Sequence, residues 1–376
     1  MKSNIMKSTM KTKALRIGVL TGGGDCPGLN AAIRGVSKSL MINCCAEIIG
    51  IHDGFLGLIE QRTSILSYGD CSGILSLGGT ILGTHNTASP FNFKGKDVSN
   101  EVMVYYHSLG LDGVVVIGGD GSLSIAYELS KLGMNIVGIP KTIDNDLMGT
   151  DRTFGFDTAI SIVTDALDRL RTTGQSHKRV MILETMGRYA GWIALHAGIA
   201  GGADVILIPE FGYDIDEIAN ACKSRMGEQH YSIIVVAEGA KPIGGELTVR
   251  ETVDFSHDPK RLGGVGNVLK MQLEQKMDAE IRSTNLGHIQ RGGSPTAFDR
   301  IFATSLGSYA ASLVANKQFG TVVVLKNNQL CSTSLKNVAD KSRLVTTEDP
   351  ALASALSMGI CFGNAGLKAE LHSLNF

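Results

Sequence analysis

A chain of 376 residues with 43% hydrophobic residues has the apolar mass for a large core and a length that fits two or three domains. Its formal charge of −1 gives neither nucleic acid nor an acidic membrane surface a handle, and no apolar run approaches the ~20 residues that span a bilayer, so neither partner is expected. Seven cysteines, an odd number without metal-ligand spacing, fit a reducing compartment, and a cytoplasmic location is expected.

The chain opens on MKSNIMKSTMKTKA, basic and hydroxyl-rich with no acid. It lacks arginine and a clear amphipathic face, so residues 1–12 read as a disordered extension, with a transit peptide as the alternative. Residues 16–20, RIGVL, form the first predicted strand. It runs into TGGGDCPGLN and then a helical stretch, AAIRGVSKSL. A strand, a glycine turn and a helix start make an anion site, because unpaired backbone N–H groups and the helix dipole both favour negative charge. The loop fits neither G-x-x-x-x-G-K-[ST] nor G-x-G-x-x-G, which argues against a P-loop and a dinucleotide fold.

Residues 47–51 are a second strand, 112–117 (DGVVVI) a buried third, and 136–139 (IVGI) a fourth. The third ends in Gly118-Gly119-Asp120-Gly121-Ser122, ahead of a helix expected over 123–132. Here glycines admit phosphates, and Asp120 is placed to hold Mg²⁺ against them. The fourth ends in P-K-T-I-D-N-D, so Lys141, Thr142, Asp144 and Asp146 stand past a strand's C-terminal end, the edge where open α/β sheets bind ligands. A base, a cation and a second carboxylate within seven residues suit phosphoryl transfer to an alcohol. A polar turn with an Asx cap is the alternative for this stretch taken alone.

Residues 158–172 have helical spacing, with Asp165, Asp168, Arg169 and Arg171 expected on a solvated face. Strands at 179–183, 205–208 and 232–236 follow, then NLGHIQRGGSP. Their ends carry Arg188, Glu238, His288 and Arg291: forked donors for phosphate oxygens, and groups that can hold sugar hydroxyls. Residues 241–276 read as a loop or hairpin followed by an amphipathic helix, and 321–325 as a last strand. The repeated strand–loop–helix grammar predicts an α/β protein: two similar three-layer domains with mainly parallel sheets and an active-site cleft between them. The expected division is 13–155 plus roughly 290–330 for a donor-phosphate domain, and 156–289 plus roughly 331–376 for a sugar-phosphate domain.

Taken together, IGVLTGGGDCPGLNAAIRG, GGDGS, PKTIDND, LETMGRYAGW, AEG and GHIQRGGSP resemble the 6-phosphofructokinase family, in order over roughly residues 16–320. G-G-D-G alone also occurs in NAD and lipid kinases, which lack the second set of motifs. The resemblance implies transfer from MgATP to the 1-hydroxyl of fructose 6-phosphate. Asp144 matches the general base, with Thr142, Asp146 and Arg188 around the moving phosphoryl group. Gly24, Asn86, Thr87, Gly119, Asp120, Gly121, Ser122 and Lys141 fall at the donor, Asp120 at the magnesium position. Thr142, Ile143, Met186, Gly187, Arg188, Glu238, His288, Ile289, Gln290 and Arg291 fall at the sugar phosphate. Arg179 and Arg282 match arginines that reach that phosphate from a neighbouring subunit, so a homodimer or homotetramer is expected.

Donor-selecting positions are mixed. Asn86 replaces an arginine of the short bacterial ATP enzymes, and Lys141 matches the pyrophosphate-using branch, whereas Gly121 matches ATP users. Room for a nucleotide at Gly121 favours ATP, with pyrophosphate the alternative. Arg34, Lys38 and Arg62 match part of a bacterial effector pocket, but RMGEQH at 225–230 lacks its lysine-rich segment, so weak or different regulation by ADP and phosphoenolpyruvate is expected.

Overall fold

The computed structural model describes residues 14–252 and 260–367, and the extension expected at 1–12 lies outside them. In chain order come β1 (Arg16–Gly22), α1 (Leu29–Cys44), β2 (Glu47–Ile51), α2 (Phe55–Ile59), β3 (Thr63–Leu66), α3 (Ser99–Ser108), β4 (Gly113–Gly118), α4 (Asp120–Lys131) and β5 (Ile136–Pro140). The long α5 (Phe156–His177) leads to β6 (Val180–Thr185), α6 (Trp192–Ala200), β7 (Val205–Leu207), α7 (Ile215–Gln229) and β8 (Ser232–Ala237). Then follow β9 (Val249–Thr252), β10 (Lys260–Leu262), α8 (Val265–Glu274), β11 (Ile281–Asn285), α9 (Ala297–Ala315), β12 (Thr321–Lys326), β13 (Gln329–Ser334) and α10 (Pro350–Ser357).

Two main sheets result. The first runs β13-β12-β5-β4-β1-β2-β3, and the second β11-β6-β8-β7. All neighbours in the second are parallel; in the first only the two edge strands, β13 and β3, are antiparallel. The central strands read as unbroken apolar runs because both faces are covered. On β4, Val115 and Ile117 enter a core that also holds Met181 and Leu183 of β6, so one apolar layer joins the sheets. Val114 and Val116 point to the opposite face of the first sheet, and Val180 and Ile182 to the opposite face of the second. Among the described residues no helix is long and apolar enough to cross a membrane.

Strands β3, β11 and β13 were not foreseen, and each lies at a sheet edge. Edge strands have one open side and need no continuous apolar run: β11, IRSTN, buries only its first residue fully. Strand β13 also carries the first sheet past the boundary expected near 331. The 241–276 stretch forms the antiparallel pair β9–β10 and then α8. Arg171 departs from its expected solvated role, since its guanidinium donates to the carbonyls of Gly201 and Gly202 at the end of α6.

Two helix contacts fix the frame. Helices α1 and α9 cross at Gly35 and Gly307: a Cβ on Gly307 would stand 2.5 Å from the Ala32 oxygen, and one on Gly35 2.7 Å from the Thr304 oxygen. Helix α5 begins at Gly155, which has no side-chain cap of its own. Asp299 of α9 supplies one: its Oδ2 accepts from the Thr158 N–H (2.8 Å) and hydroxyl (2.6 Å).

Candidate active site

Strands β5, β4 and β1 are neighbours and parallel, so their C-terminal ends share one edge. The chain leaves β1 toward β2 on one side while β4 lies on the other, which makes the gap between β1 and β4 the switch point of the sheet. Both loops flanking that gap are the glycine loops. Gly22 and Gly118 pair in register, and a Cβ on Gly22 would lie 2.6 Å from Ser122 Oγ, so the loops nest around this serine. The G-G-D-G-S stretch departs from its expected form as a loop: α4 starts at Asp120, with Gly119 as an N-cap to which no side chain bonds. The helix thus presents its N-terminal N–H groups at the switch point, with the Asp120 carboxylate on its first residue.

The first glycine loop is tied on three sides. Thr84 Oγ1 donates to the Gly23 carbonyl (2.5 Å), while the Gly23 N–H donates to the His85 carbonyl (3.3 Å). Asn86 and Thr87 follow, both exposed on this flap. Lys141 Nζ donates to the Gly24 carbonyl, and Arg291 Nη1 to the Asp25 carbonyl at 3.2 Å. A Cβ at position 24 would stand 2.8 Å from Arg291 Nη1 and would push that guanidinium aside.

The turn after β5 is held by its own polar groups. The Lys141 N–H donates to the Gly118 carbonyl (2.9 Å), and the Asp144 N–H to Thr142 Oγ1 (3.1 Å). Asn145 adopts φ +54°, in the left-handed region that asparagine tolerates. Its Oδ1 accepts from the Thr153 N–H (3.0 Å), and Thr153 Oγ1 donates to the Thr142 carbonyl (2.7 Å). The result leaves Asp144 Oδ1 buried with no hydrogen-bond partner. Burial raises the Asp144 carboxyl above its ordinary range, against the pull of Arg291 and Lys141. Burial and then repulsion from Asp144 raise Asp146 too, with Asp120 adding to it and the Thr142 hydroxyl opposing. The ammonium of Lys141 is pushed down by the same burial.

The second sheet brings its own edge to the same place. Gly187 takes φ +129°, and its carbonyl accepts from the Gly239 N–H at 3.1 Å, which joins the loops after β6 and β8. Glu238 between them is raised to about 7, by burial first and then by Asp144 and Glu184, with Arg291 and Arg188 opposing. Arg188 lies with its guanidinium carbon 5.1 Å from the Tyr189 ring centre. Thus Gly24, Lys141, Asp144, Glu238, Arg188 and Arg291 lie within electrostatic or hydrogen-bond reach of one another across the two sheets.

Other expected residues lie elsewhere or act differently. Ile143 is fully buried and Gln290 likewise, so neither side chain has surface for a substrate. Gln290 instead accepts from the Met186 N–H (3.2 Å) and donates to the Gly287 carbonyl (3.0 Å), so it shapes the Met186–Gly187 loop. His288 is exposed, as is Ile289 at 66%. Arg179 and Arg282 lie by edge strand β11, both bonded to Glu280: Arg179 Nε at 2.6 Å to Oε2, and Arg282 Nη2 to Oε1. Thr153, Glu184 and Arg343 were not singled out from sequence. Glu184 is buried on β6 and accepts from the Gly264 and Gly266 N–H groups (2.8 Å each) and from Asn285 (2.6 Å), docking the start of α8 on β6. A carboxylate inside an apolar strand run, V-M-I-L-E-T, was the one available signal.

Such an edge can bind anions on two glycine loops, hold a hydroxyl at Asp144 and screen charge with Lys141, Arg188 and Arg291. Comparison with known proteins agrees with this chemistry. The phosphofructokinase family model matches residues 16–314. The chain is 48% identical over 361 residues to an ATP-dependent 6-phosphofructokinase 2 of Clostridium perfringens, covering 93% of this chain and 98% of the relative. It is 43% identical over 350 residues to a pyrophosphate–fructose 6-phosphate 1-phosphotransferase of Streptomyces coelicolor, covering 93% and 100%. In fold it is similar to the crystal structure of a pyrophosphate-dependent phosphofructokinase from Marinobacter aquaeolei, with a TM-score of 0.77 at 19% identity, over 96% of this chain and 91% of that one.

Proposed function

Because this chain belongs to the phosphofructokinase family, we propose that it transfers a phosphoryl group from ATP to the 1-hydroxyl of fructose 6-phosphate, giving fructose 1,6-bisphosphate and ADP. The observation that carries this reading is the buried, unpartnered Asp144 Oδ1 at the meeting of the two sheet edges. A buried acceptor without a donor costs about 1–3 kcal/mol, and a substrate hydroxyl placed there removes that cost. Asp144 takes the hydroxyl proton as the oxygen attacks phosphorus, and its raised carboxyl is a better base than an ordinary aspartate. Lys141 and Arg291 close the first glycine loop over the donor phosphates. Arg188 supplies positive charge to the transferring group, and Glu238 holds a sugar hydroxyl. Catalysis then rests on positioning and charge neutralisation.

Magnesium fits this donor set only as a partner of the phosphates. Among the described residues no three His, Cys, Asp or Glu side chains gather to hold a metal. Asp120 at the head of α4 would share the ion with donor oxygens, the usual manner of Mg²⁺. When bound, the ion neutralises phosphate charge.

The pyrophosphate reading draws on Lys141, Asn86 and the Streptomyces relative. Against it, the Lys141 ammonium donates to the Gly24 carbonyl and so fastens the loop, while the missing side chain at Gly121 leaves room for a nucleotide. Initial rates with fructose 6-phosphate and Mg²⁺, with ATP in one assay and pyrophosphate in the other, decide. ATP-only activity is expected; pyrophosphate-only activity makes Lys141 the donor-selecting residue, and inactivity with both rejects the acceptor assignment. By its likeness to the family the chain forms a homodimer or homotetramer in which Arg179 and Arg282, one half-buried and one exposed beside Glu280, serve a neighbour's sugar phosphate.

A further inference from the structure

Residues 342–345, beyond the 16–314 span of the family match, form a strap tied to both halves of the site. Ser342 makes an antiparallel bridge with Leu147, just past the D-N-D turn, and the Arg343 N–H donates to the Asp146 carbonyl at 2.6 Å. The Arg343 side chain reaches back to the same turn: Nε and Nη2 both donate to the Asn145 carbonyl, at 3.3 and 3.2 Å. Its guanidinium carbon lies 4.4 Å from the centre of the Trp192 ring, and Trp192 Nε1 donates to the Arg343 carbonyl at 3.0 Å. Next along the strap, the Val345 N–H donates to Glu210 Oε1 (2.9 Å), and the Glu210 carboxylate also accepts from the Gly191 N–H (3.0 and 3.1 Å). Gly191 and Trp192 follow the Met186–Arg188 loop after Tyr189 and Ala190.

We infer that Arg343 is a positioning residue of the phosphoryl-transfer site: by gripping the Asn145 carbonyl against Trp192, it sets the aim of the flanking Asp144 and Asp146 carboxylates. The inference rests on the reading of Asp144 as base. Asn145 sits at φ +54°, a conformation that other backbone states undercut unless its surroundings hold it. Thr153 holds the asparagine side chain, and Arg343 holds the peptide that follows. Rotation of that peptide swings both carboxylates. Arginine suits this place because a planar fork meets one carbonyl with two nitrogens while its face stacks on an indole; a lysine ammonium has neither the fork nor a flat face.

The test compares full-length wild type, Arg343→Met and Arg343→Lys. Arg343→Met should lose about 10–100-fold in kcat, the size of a sub-ångström to ångström misplacement, with KM for fructose 6-phosphate within about threefold. Arg343→Lys should recover part of kcat. Trp192 is the only tryptophan of the chain, so its emission reports loss of the stacked cation directly. Unchanged kcat per folded molecule in both variants, or a raised KM at unchanged kcat, overturns the assignment even if the melting temperature falls. Should Arg343→Met not fold, the same criteria apply to Arg343→Lys, with an intermediate kcat expected. An inactive wild type overturns the phosphoryl-transfer reading itself, and this assignment with it; an active wild type with fully active variants overturns the assignment alone.

Discussion

At the scale of single residues, Asp144 combines a strained electrostatic position with an open hydrogen-bonding site. Asp144→Asn removes the base and should cost about 10²–10⁴ in kcat. It also removes a buried charge whose Oδ1 has no donor, so the melting temperature of the ligand-free protein should hold or rise. Full activity in this variant rejects the role. Glu238 gives a pH signature. Its folded-state pKa, about 7, lies above the ordinary carboxylate value of 4.5, so between these pH values the folded state binds more protons than the unfolded state. Its contribution to stability is therefore present below about pH 4.5 and is lost as pH rises toward 7. Thermal melts at pH 5.5 and 7.5 should differ less for Glu238→Gln than for wild type; equal differences count against the shift. The acids were legible because D-N-D follows an apolar strand. The conformation of Asn145 and its hold by Thr153 and Arg343 were not, because those partners are 8 and 198 residues away in the chain.

At the scale of elements, two helix joints support the site. Gly307→Val forces a side chain against the Ala32 carbonyl where α9 crosses α1, and overpacking of this kind costs about 1–3 kcal/mol. Asp299→Ala deprives the first turn of α5 of its only described side-chain cap and leaves the buried Thr158 N–H unpaired, at about 1–3 kcal/mol. Urea unfolding midpoints should fall in both, and an unchanged midpoint in either rejects the corresponding joint. Glycines of this kind cannot be told by sequence from phosphate-loop glycines: Gly35 and Gly22 read alike until their neighbours are known. The central strands β1, β2, β4, β5, β6 and β8 were legible from apolar runs. The apolar edge strand β7 was legible too, but the edges β3, β11 and β13 were not, since half-exposed polar segments such as TSIL and IRSTN carry no such run.

For the whole molecule, the proposed sharing of sites between subunits predicts complementation. A mixture of Asp144→Asn and Arg282→Ala chains, unfolded and reassembled together, should regain about a quarter of wild-type activity for a dimer, because half the dimers are hybrids with one intact site each. No recovery places Arg282 in its own subunit's site, and an Arg282→Ala chain that is fully active alone places it outside any site. The return of β12 and β13 to the first sheet has another consequence, one of timing. Strand β5 cannot gain its β12 neighbour, nor α1 its α9 cover, until the ribosome has made some three hundred residues. The half that begins first finishes last, while the strands of the second sheet are already complete by residue 285. A nascent chain stalled near 290 displays an open strand edge and an apolar helix face, the surfaces that chaperones capture. Synthesis, and not only stability, is then where damage to α9 or β12 should be felt first.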